Sequence, residues 1–179
     1  ENAGIYFGFQ RDITEEEYEA AIKNNTLTDL LSFQPVKAGE WYFIPSGTVH
    51  AIGAGCLICE IQQNSNLTYR VYDYGRKDAN GNTRPLHIEK ALKVSSLKKI
   101  TSAPLKVSVG EGERIGVSKY FTVTKCAVEE RKQLIADNKT FKCISCVDGE
   151  GAIDGVKFSV GDSLFVPAGY GEFTVTGNA

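Results

Sequence analysis

The residues best able to do chemistry in this chain are concentrated between positions 39 and 76. His50 is one of only two histidines in 179 residues, and it follows the turn Pro45-Ser46-Gly47. Proline restricts the backbone of such a turn and glycine permits a positive φ, so the turn fixes the direction of the side chains that follow it. A neutral imidazole with a fixed direction is a good zinc ligand. His50 is therefore a candidate metal ligand, and the alternative is a histidine that only satisfies its turn.

Two arginines follow on the same stretch. Arg70 and Arg76 are six residues apart, and on a β-strand this even spacing sends both side chains to one face of the sheet. The guanidinium fork matches the oxygens of a phosphate or of a developing enediolate, and it stays charged at any physiological pH. Sheet arginines are often simply solvated, which is the alternative. His87, the second histidine, lies near a predicted helix start, where a structural role is favoured.

The five cysteines raise the question of a zinc knuckle, because Cys56/Cys59 and Cys143/Cys146 each have CxxC spacing. Both pairs lie in apolar, strand-like runs, in which positions i and i+3 face opposite sides of a sheet. The odd total favours reduced thiols over a disulfide framework. We therefore predict that all five cysteines are reduced and bind no metal.

The motifs around these residues resemble a known family. Gly39-Glu40, a short strand, the Pro-x-Gly turn and His50 resemble the second half of the cupin signature, in which a small β-barrel presents a histidine to a metal. The runs PSGTVHAIG, CEIQQNSNLTYRVYDYGR and RPLHIEKAL resemble the type I mannose-6-phosphate isomerases, which are zinc enzymes, and are most similar to their short bacterial form. The resemblance covers nearly all of the chain, and residues 36–94 carry its most specific part.

This resemblance implies the interconversion of mannose 6-phosphate and fructose 6-phosphate through an enediol, with one zinc ion per full-length chain. It implies that His50 is a zinc ligand and that Arg70 is the catalytic arginine. It also implies that Glu60 lies in the sugar pocket, although an acid at the edge of the core paired with an arginine is the alternative from the residues alone. Arg76 is carried over as a phosphate contact.

In that family the other zinc ligands, a Gln, a His and a Glu, lie upstream of the position at which this sequence begins. We therefore expect a fragment that lacks those ligands and has little or no isomerase activity of its own. Two other classes stay open, namely a cupin that binds a phosphosugar without turnover and a folded fragment with a structural role only. An isomerase needs both Arg70 and the metal, whereas a binding protein could lose the zinc.

The composition limits the classes of partner. Lysines and arginines number 20 against 22 acidic residues, for a net charge of -2, which provides no basic surface for nucleic acid or an anionic membrane. No apolar run is long enough to span a bilayer and no signal-peptide pattern is present at the N-terminus, so we expect a cytoplasmic protein. The expected partner is a small phosphosugar, and the expected state is a monomer or a weak homodimer.

The turn before His50 occurs a second time at a constant offset of 122 residues. Gly161-Asp162 and Pro167-Ala168-Gly169 repeat Gly39-Glu40 and Pro45-Ser46-Gly47, and Glu172 stands where His50 stood. This echo predicts an all-β fold of tandem cupin barrels: a catalytic cupin at residues 1–100, incomplete and with a helical insert at about 14–33, and a second cupin at 104–179. Because no histidine follows His87, the second cupin is predicted to be degenerate.

Periodicity and turn signals set the expected elements. Thr14 and Glu17 have capping-box spacing, which predicts a helix start at Thr14. Helices are expected mainly within 14–33 and 86–94, and a linker at 98–104. The predicted strands are 5–9, 36–44, 50–52, 56–62, 68–74, 119–128, 141–147, 153–160, 163–166 and 173–176. Hairpin turns are predicted at 148–149 and 154–155.

Overall fold

The computed structural model describes residues 3–101 and 114–179, with only the backbone described at Arg114. The chain divides into two compact units, Glu1–Ser108 and Val109–Ala179, and each is described by itself. Most regular structure in the described residues is β-strand, so the predicted all-β class is confirmed. Residue 104, where the second domain was predicted to begin, lies outside the described residues. None of the helices in the described part of the chain is long and apolar enough to cross a membrane.

The first unit is built on a three-stranded antiparallel sheet. Strand β1 (Gly4–Phe9) lies in the middle, between β2 (Leu31–Pro35) and β3 (His50–Ile52). In the register of β1 and β3, Phe7 pairs with His50. The central strand therefore holds the histidine strand in place along one of its edges.

Helix α1 (Glu15–Lys23) begins at the predicted capping box. The Thr14 hydroxyl accepts a hydrogen bond from the Glu17 backbone N–H at 3.2 Å, and the Glu17 carboxylate accepts one from the Thr14 N–H at 2.9 Å. The Arg11 guanidinium donates to the same carboxylate. The hydrogen bond from Arg11, followed by that from the Thr14 N–H, lowers the pKa of Glu17 to about 2.

The core of the first unit lies between this sheet and the helices. Its most deeply buried side chains are Phe9, Tyr18 and Leu27, and the rings of Phe9 and Tyr18 meet edge to face with centroids 5.5 Å apart. The Tyr18 hydroxyl also lies 3.2 Å from the Ser95 hydroxyl, directly after helix α2 (Ile88–Val94). This contact joins the first helix to the end of the second.

Three strands predicted for the first unit are absent from the described residues. Residues 36–44, 56–62 and 68–74 contain no strand. Residues 31–33, predicted as helix, begin β2 after a 3₁₀ turn at Leu27–Leu30. An apolar, β-branched pattern becomes a strand only when a neighbouring strand supplies ladder hydrogen bonds. Both edges of β1 are already paired, with β2 and with β3. Between residues 56 and 74, large apolar side chains such as Leu57 and Leu67 are exposed.

The second unit contains eight described strands. They are β4 (Arg114–Val117), β5 (Thr122–Thr124), β6 (Glu129–Ala136), β7 (Lys142–Ser145), β8 (Glu150–Ile153), β9 (Val156–Ser159), β10 (Ser163–Val166) and β11 (Gly171–Asn178). One sheet has the order β6-β11-β8-β9, while β10 pairs with β7 and β4 with β5. Inward-facing side chains of the four-stranded sheet, such as Ile153, Phe158 and Phe173, pack with Val166 of β10 in one apolar cluster.

Several strands of the second unit agree with the predictions, but the pairing differs. The turn at 154–155 does join a hairpin, with Ile153 opposite Val156. The turn at 148–149 does not, because β7 pairs with β10 and β8 pairs with β11 and β9. Strand β6 was not predicted at all: its sequence EERKQLIA is mostly charged or polar, and it is held by pairing along its whole length with β11.

The predicted repeat is reproduced in hydrogen-bonding detail. In the first copy the Lys37 N–H donates to the Glu40 carboxylate at 2.9 Å, and in the second the Ser159 N–H donates to the Asp162 carboxylate at 2.7 Å. The Pro-x-Gly turns are also closed alike, by Thr48 N–H to the Pro45 carbonyl at 3.2 Å and by Tyr170 N–H to the Pro167 carbonyl at 3.3 Å. The two copies share their backbone turns, and they differ in the side chains placed after them.

Candidate functional site

The Pro-x-Gly turn brings His50 to the start of β3. The backbone N–H of Gly8 donates to the Val49 carbonyl at 2.8 Å, which ties the segment between the turn and His50 to the central strand. Just before the turn, the Tyr42 hydroxyl donates to the Glu40 carboxylate at 2.7 Å. Burial, together with this carboxylate, raises the pKa of Tyr42 to about 12.

The His50 ring is oriented by its own turn. Its Nδ1 atom lies 2.8 Å from the Thr48 carbonyl oxygen, which can only accept, so Nδ1 carries the proton and donates. This tautomer leaves the lone pair of Nε2 available, and the side chain is exposed. Metal-binding histidines commonly use one ring nitrogen in this way and coordinate with the other. His50 is thus arranged as a metal ligand would be.

The described residues do not complete a zinc site around His50. Within residues 3–101 and 114–179, no group of three or more His, Cys, Asp or Glu side chains is gathered closely enough to hold a metal ion. A catalytic zinc usually has three protein ligands. The part of the chain that the structure describes therefore supplies fewer than the three protein ligands that a catalytic zinc usually has.

Arg70 lies in a segment without regular secondary structure, yet its backbone is held at two points. Its N–H donates to Nδ1 of His87 at 3.1 Å, and its carbonyl accepts from the His87 N–H at 2.8 Å. The next residues, Val71 and Tyr72, pack against the core of the first unit. The half-buried Arg70 side chain therefore starts from a well-anchored backbone.

Asp73, like its partner Arg84, was not singled out from the sequence. It is only 9% exposed, the one buried charged residue among those the structure describes, and the Arg84 guanidinium donates to both of its carboxylate oxygens. The hydrogen bond from Arg84, and more weakly the charges of Arg70 and Arg76, lower the pKa of Asp73. Its position between Tyr72 and Tyr74 was the available signal, since an acid within an aromatic run needs a partner.

The prediction that Arg70 and Arg76 share one strand face is wrong. Between them the backbone takes positive φ at Tyr74 and at Gly75, and the Arg76 N–H donates to the Asp73 carbonyl at 2.9 Å, so the chain turns instead of running straight. The Arg76 guanidinium lies over the Tyr74 ring, 5.3 Å from its centroid. Both arginines nevertheless lie close enough to Asp73 to affect its pKa.

Glu60 lies apart from these contacts. It is exposed in the irregular segment that was predicted to be a strand. Among the described residues, no hydrogen bond or ion pair joins Glu60 or His50 to Arg70. The structure therefore brings together Arg70, Arg76, Asp73, Arg84 and His87, whereas the grouping of Glu60 and His50 with them stays a prediction.

Comparison with known proteins identifies relatives along the chain. Residues 114–179 match the family model described as mannose-6-phosphate isomerase, cupin domain. The chain is 38% identical to the mannose-6-phosphate isomerase ManA of Bacillus subtilis over 99% of this chain and 58% of ManA. It is also 38% identical to the probable mannose-6-phosphate isomerase GmuF of the same organism, over 92% of this chain and 54% of GmuF. The chain thus spans little more than half the length of these curated relatives.

Solved structures agree with these relatives. The crystal structure of the mannose 6-phosphate isomerase from Bacillus subtilis matches 99% of this chain and 59% of its own, with 32% sequence identity and a TM-score of 0.81. A putative mannosephosphate isomerase from Archaeoglobus fulgidus matches with 21% identity and a TM-score of 0.68, which supports the fold. The chain is therefore homologous over nearly its whole length to the mannose-6-phosphate isomerase family, and the resemblance predicted from its motifs is confirmed.

Proposed function

We propose that this chain is part of a mannose-6-phosphate isomerase, an aldose-ketose isomerase that interconverts mannose 6-phosphate and fructose 6-phosphate. The observation that carries the proposal is the 36–38% identity to three relatives bearing that name over 92–99% of this chain. Because the chain spans little more than half of them, the activity is proposed for a protein that includes the rest of the catalytic barrel.

In this proposal Arg70 is the catalytic arginine. Moving a proton between C1 and C2 of the open sugar creates negative charge on the oxygens of an enediolate, and that charge exists only along the reaction path. A fixed guanidinium facing those oxygens stabilises the transition state more than the ground state, which is the interaction that accelerates a reaction. The anchored backbone of Arg70 supports this role, since a fixed donor needs no reorganisation during the step.

The other site residues keep the roles carried over from the family. Arg76 is proposed to contact the substrate phosphate, and Glu60 is proposed to accept hydrogen bonds from sugar hydroxyls in the pocket. His50 is proposed as one zinc ligand, in keeping with its free Nε2. Because the described residues do not complete a zinc site, no step of the reaction is assigned to the metal.

The proposal is tested with two proteins: the 179-residue chain, and a chimera that joins it behind the part of Bacillus subtilis ManA preceding the matched region. Both are supplied with zinc, and fructose 6-phosphate formation from mannose 6-phosphate is followed. We expect turnover and about one zinc per chain in the chimera, and neither in the 179-residue chain. Equal activity in the two proteins would contradict the assignment of zinc ligands outside the described residues.

The role of Arg70 is tested in the same chimera. Arg70→Ala is expected to lower kcat by about 10²- to 10³-fold, the usual effect of removing one fixed donor to a developing oxyanion. Arg131→Ala, which removes an exposed arginine from β6, is the matched control and is expected to leave kcat unchanged. Undiminished turnover in the Arg70 variant would remove its catalytic role.

A second function, recognition of a phosphosugar without turnover, is the alternative that the same chimera tests. A cupin that binds a phosphosugar without turning it over would need no metal. The chimera distinguishes the two: tight binding of fructose 6-phosphate with no isomerisation, in a zinc-loaded and folded protein, would favour the binding protein.

A further inference from the structure

The contact between Arg70 and His87 has the form of a strand pair that has been modified. In an antiparallel sheet, two residues of a hydrogen-bonded pair each donate a backbone N–H to the other's carbonyl. His87 donates its N–H to the Arg70 carbonyl at 2.8 Å in the usual way. In the opposite direction, however, the Arg70 N–H donates to the imidazole Nδ1 at 3.1 Å and not to the His87 carbonyl.

The reason lies in the helix that follows. His87 is the residue before α2, and its carbonyl accepts from the Ala91 N–H at 2.9 Å, the first hydrogen bond of that helix. The carbonyl is therefore directed along the helix and away from Arg70. The imidazole of the same residue supplies the acceptor that the carbonyl would have supplied in a strand. Without it, the Arg70 N–H would lose its partner in a half-buried segment.

A second contact between the same two segments lies three residues closer to the turn that joins them. Asp73 pairs with Arg84 as Arg70 pairs with His87, so both contacts fit one antiparallel register. Near the tip, the Asp78 N–H donates to the Asn82 carbonyl at 2.9 Å and closes the turn. Residues 70–87 thus form an irregular hairpin whose two sides are joined largely by side chains.

We propose that His87 is a positioning residue for Arg70: its imidazole, by accepting the Arg70 N–H, sets the backbone from which the guanidinium reaches the substrate. The proposal rests on the proposed function, in which Arg70 is the catalytic arginine. It gives His87 a role in the reaction that acts through Arg70 and requires no contact with the substrate. It also requires the neutral tautomer with the proton on Nε2, because only an unprotonated Nδ1 accepts a hydrogen bond.

Two substitutions separate the acceptor from the rest of the side chain. His87→Leu removes the acceptor, and it should not weaken α2 through capping, since the His87 side chain makes no capping hydrogen bond. His87→Asn places an amide oxygen near the position of Nδ1 and keeps the acceptor. The two variants are compared with the wild type in the 179-residue chain and in the ManA chimera, with circular dichroism to verify folding.

The first measurement is hydrogen exchange of the Arg70 backbone amide, observed by NMR in the 179-residue chain. In His87→Leu the protection of this amide is expected to fall roughly 2- to 12-fold, the value of one net hydrogen bond, and in His87→Asn it is expected to persist. Spectra of the wild-type imidazole should show an unprotonated Nδ1. Unchanged protection in His87→Leu, or equal loss in both variants, would overturn the proposal.

The second measurement is kcat in the chimera. We expect a fall of roughly 10- to 100-fold in His87→Leu, with KM little changed and with recovery in His87→Asn, because misplacing a group that acts in the transition state lowers kcat. A wild-type kcat in His87→Leu would overturn the role of His87 in positioning. If the wild-type chimera binds zinc but has no activity, the proposed function fails, while the exchange measurement still decides whether His87 holds Arg70.

Discussion

Replacing Gly47 by alanine tests the turn that delivers His50. Gly47 has a φ of +84°, and a Cβ added there would lie 2.7 Å from the backbone carbonyl oxygen of Val94. Gly39 offers a matched control, because it has nearly the same φ of +85° but no atom within 4 Å of the added Cβ. The two substitutions thus share the backbone strain and differ in the steric contact.

The expected magnitudes follow from this difference. An alanine in the left-handed region costs about 1–2 kcal/mol, and both variants bear this cost. Gly47→Ala must also push away a backbone atom that cannot rotate aside, which adds about 1–3 kcal/mol by analogy with overpacked cores. Nor can the Val94–Ser96 segment retreat freely, since the Ser96 N–H donates to the Gly47 carbonyl at 2.8 Å.

Urea unfolding followed by the fluorescence of Trp41, the single tryptophan and a residue of the same unit, measures both variants. With a slope of about 1–3 kcal/mol per molar urea, the midpoint of Gly47→Ala should lie about 1 M below that of Gly39→Ala. Equal midpoints would refute the reasoning, because they would mean that the contact with Val94 costs nothing.

Three further predictions concern the same unit. Phe9→Ala should lower the free energy of unfolding by about 3–5 kcal/mol, and Phe33→Ala should lower it by clearly less, because Phe33 is 43% exposed. Similar losses in urea melts would contradict the assigned core. The pKa of Glu17 is about 2, against an ordinary 4.5, so its stabilising effect is complete above pH 4.5 and is lost as the pH falls towards 2. Glu17→Gln should therefore flatten the pH dependence of stability between pH 4.5 and 2. A variant profile parallel to that of the wild type would argue against the lowered Glu17 pKa. Ultraviolet titration should find that the pKa of Tyr42 is about 12, and Glu40→Gln should lower it only part of the way towards 10, because burial, the larger cause, remains. An unchanged Tyr42 pKa in Glu40→Gln would contradict the contact with the carboxylate.

The features that were predicted correctly from the sequence are mostly local ones. The capping box at Thr14, the two copies of the Pro-x-Gly turn and the hairpin turn at 154–155 all depend on backbone geometry and hydrogen bonds within about four residues. Such interactions are specified by the residue types themselves. The homology was also accessible, because its motifs are contiguous in the chain.

The features that were missed depend on partners distant in sequence. Residues 56–62 have the composition of a strand but pair with no strand in the described part of the chain, whereas the charged β6 is a strand because β11 pairs with it. Similarly, the sequence by itself identified Arg70 and assigned His87 a structural role. Only the tertiary structure decided that the His87 imidazole accepts the backbone N–H of Arg70. The physical reason is common to all three cases. A strand ladder or a side-chain hydrogen bond forms only when the fold brings both partners together, whereas propensity describes each partner separately.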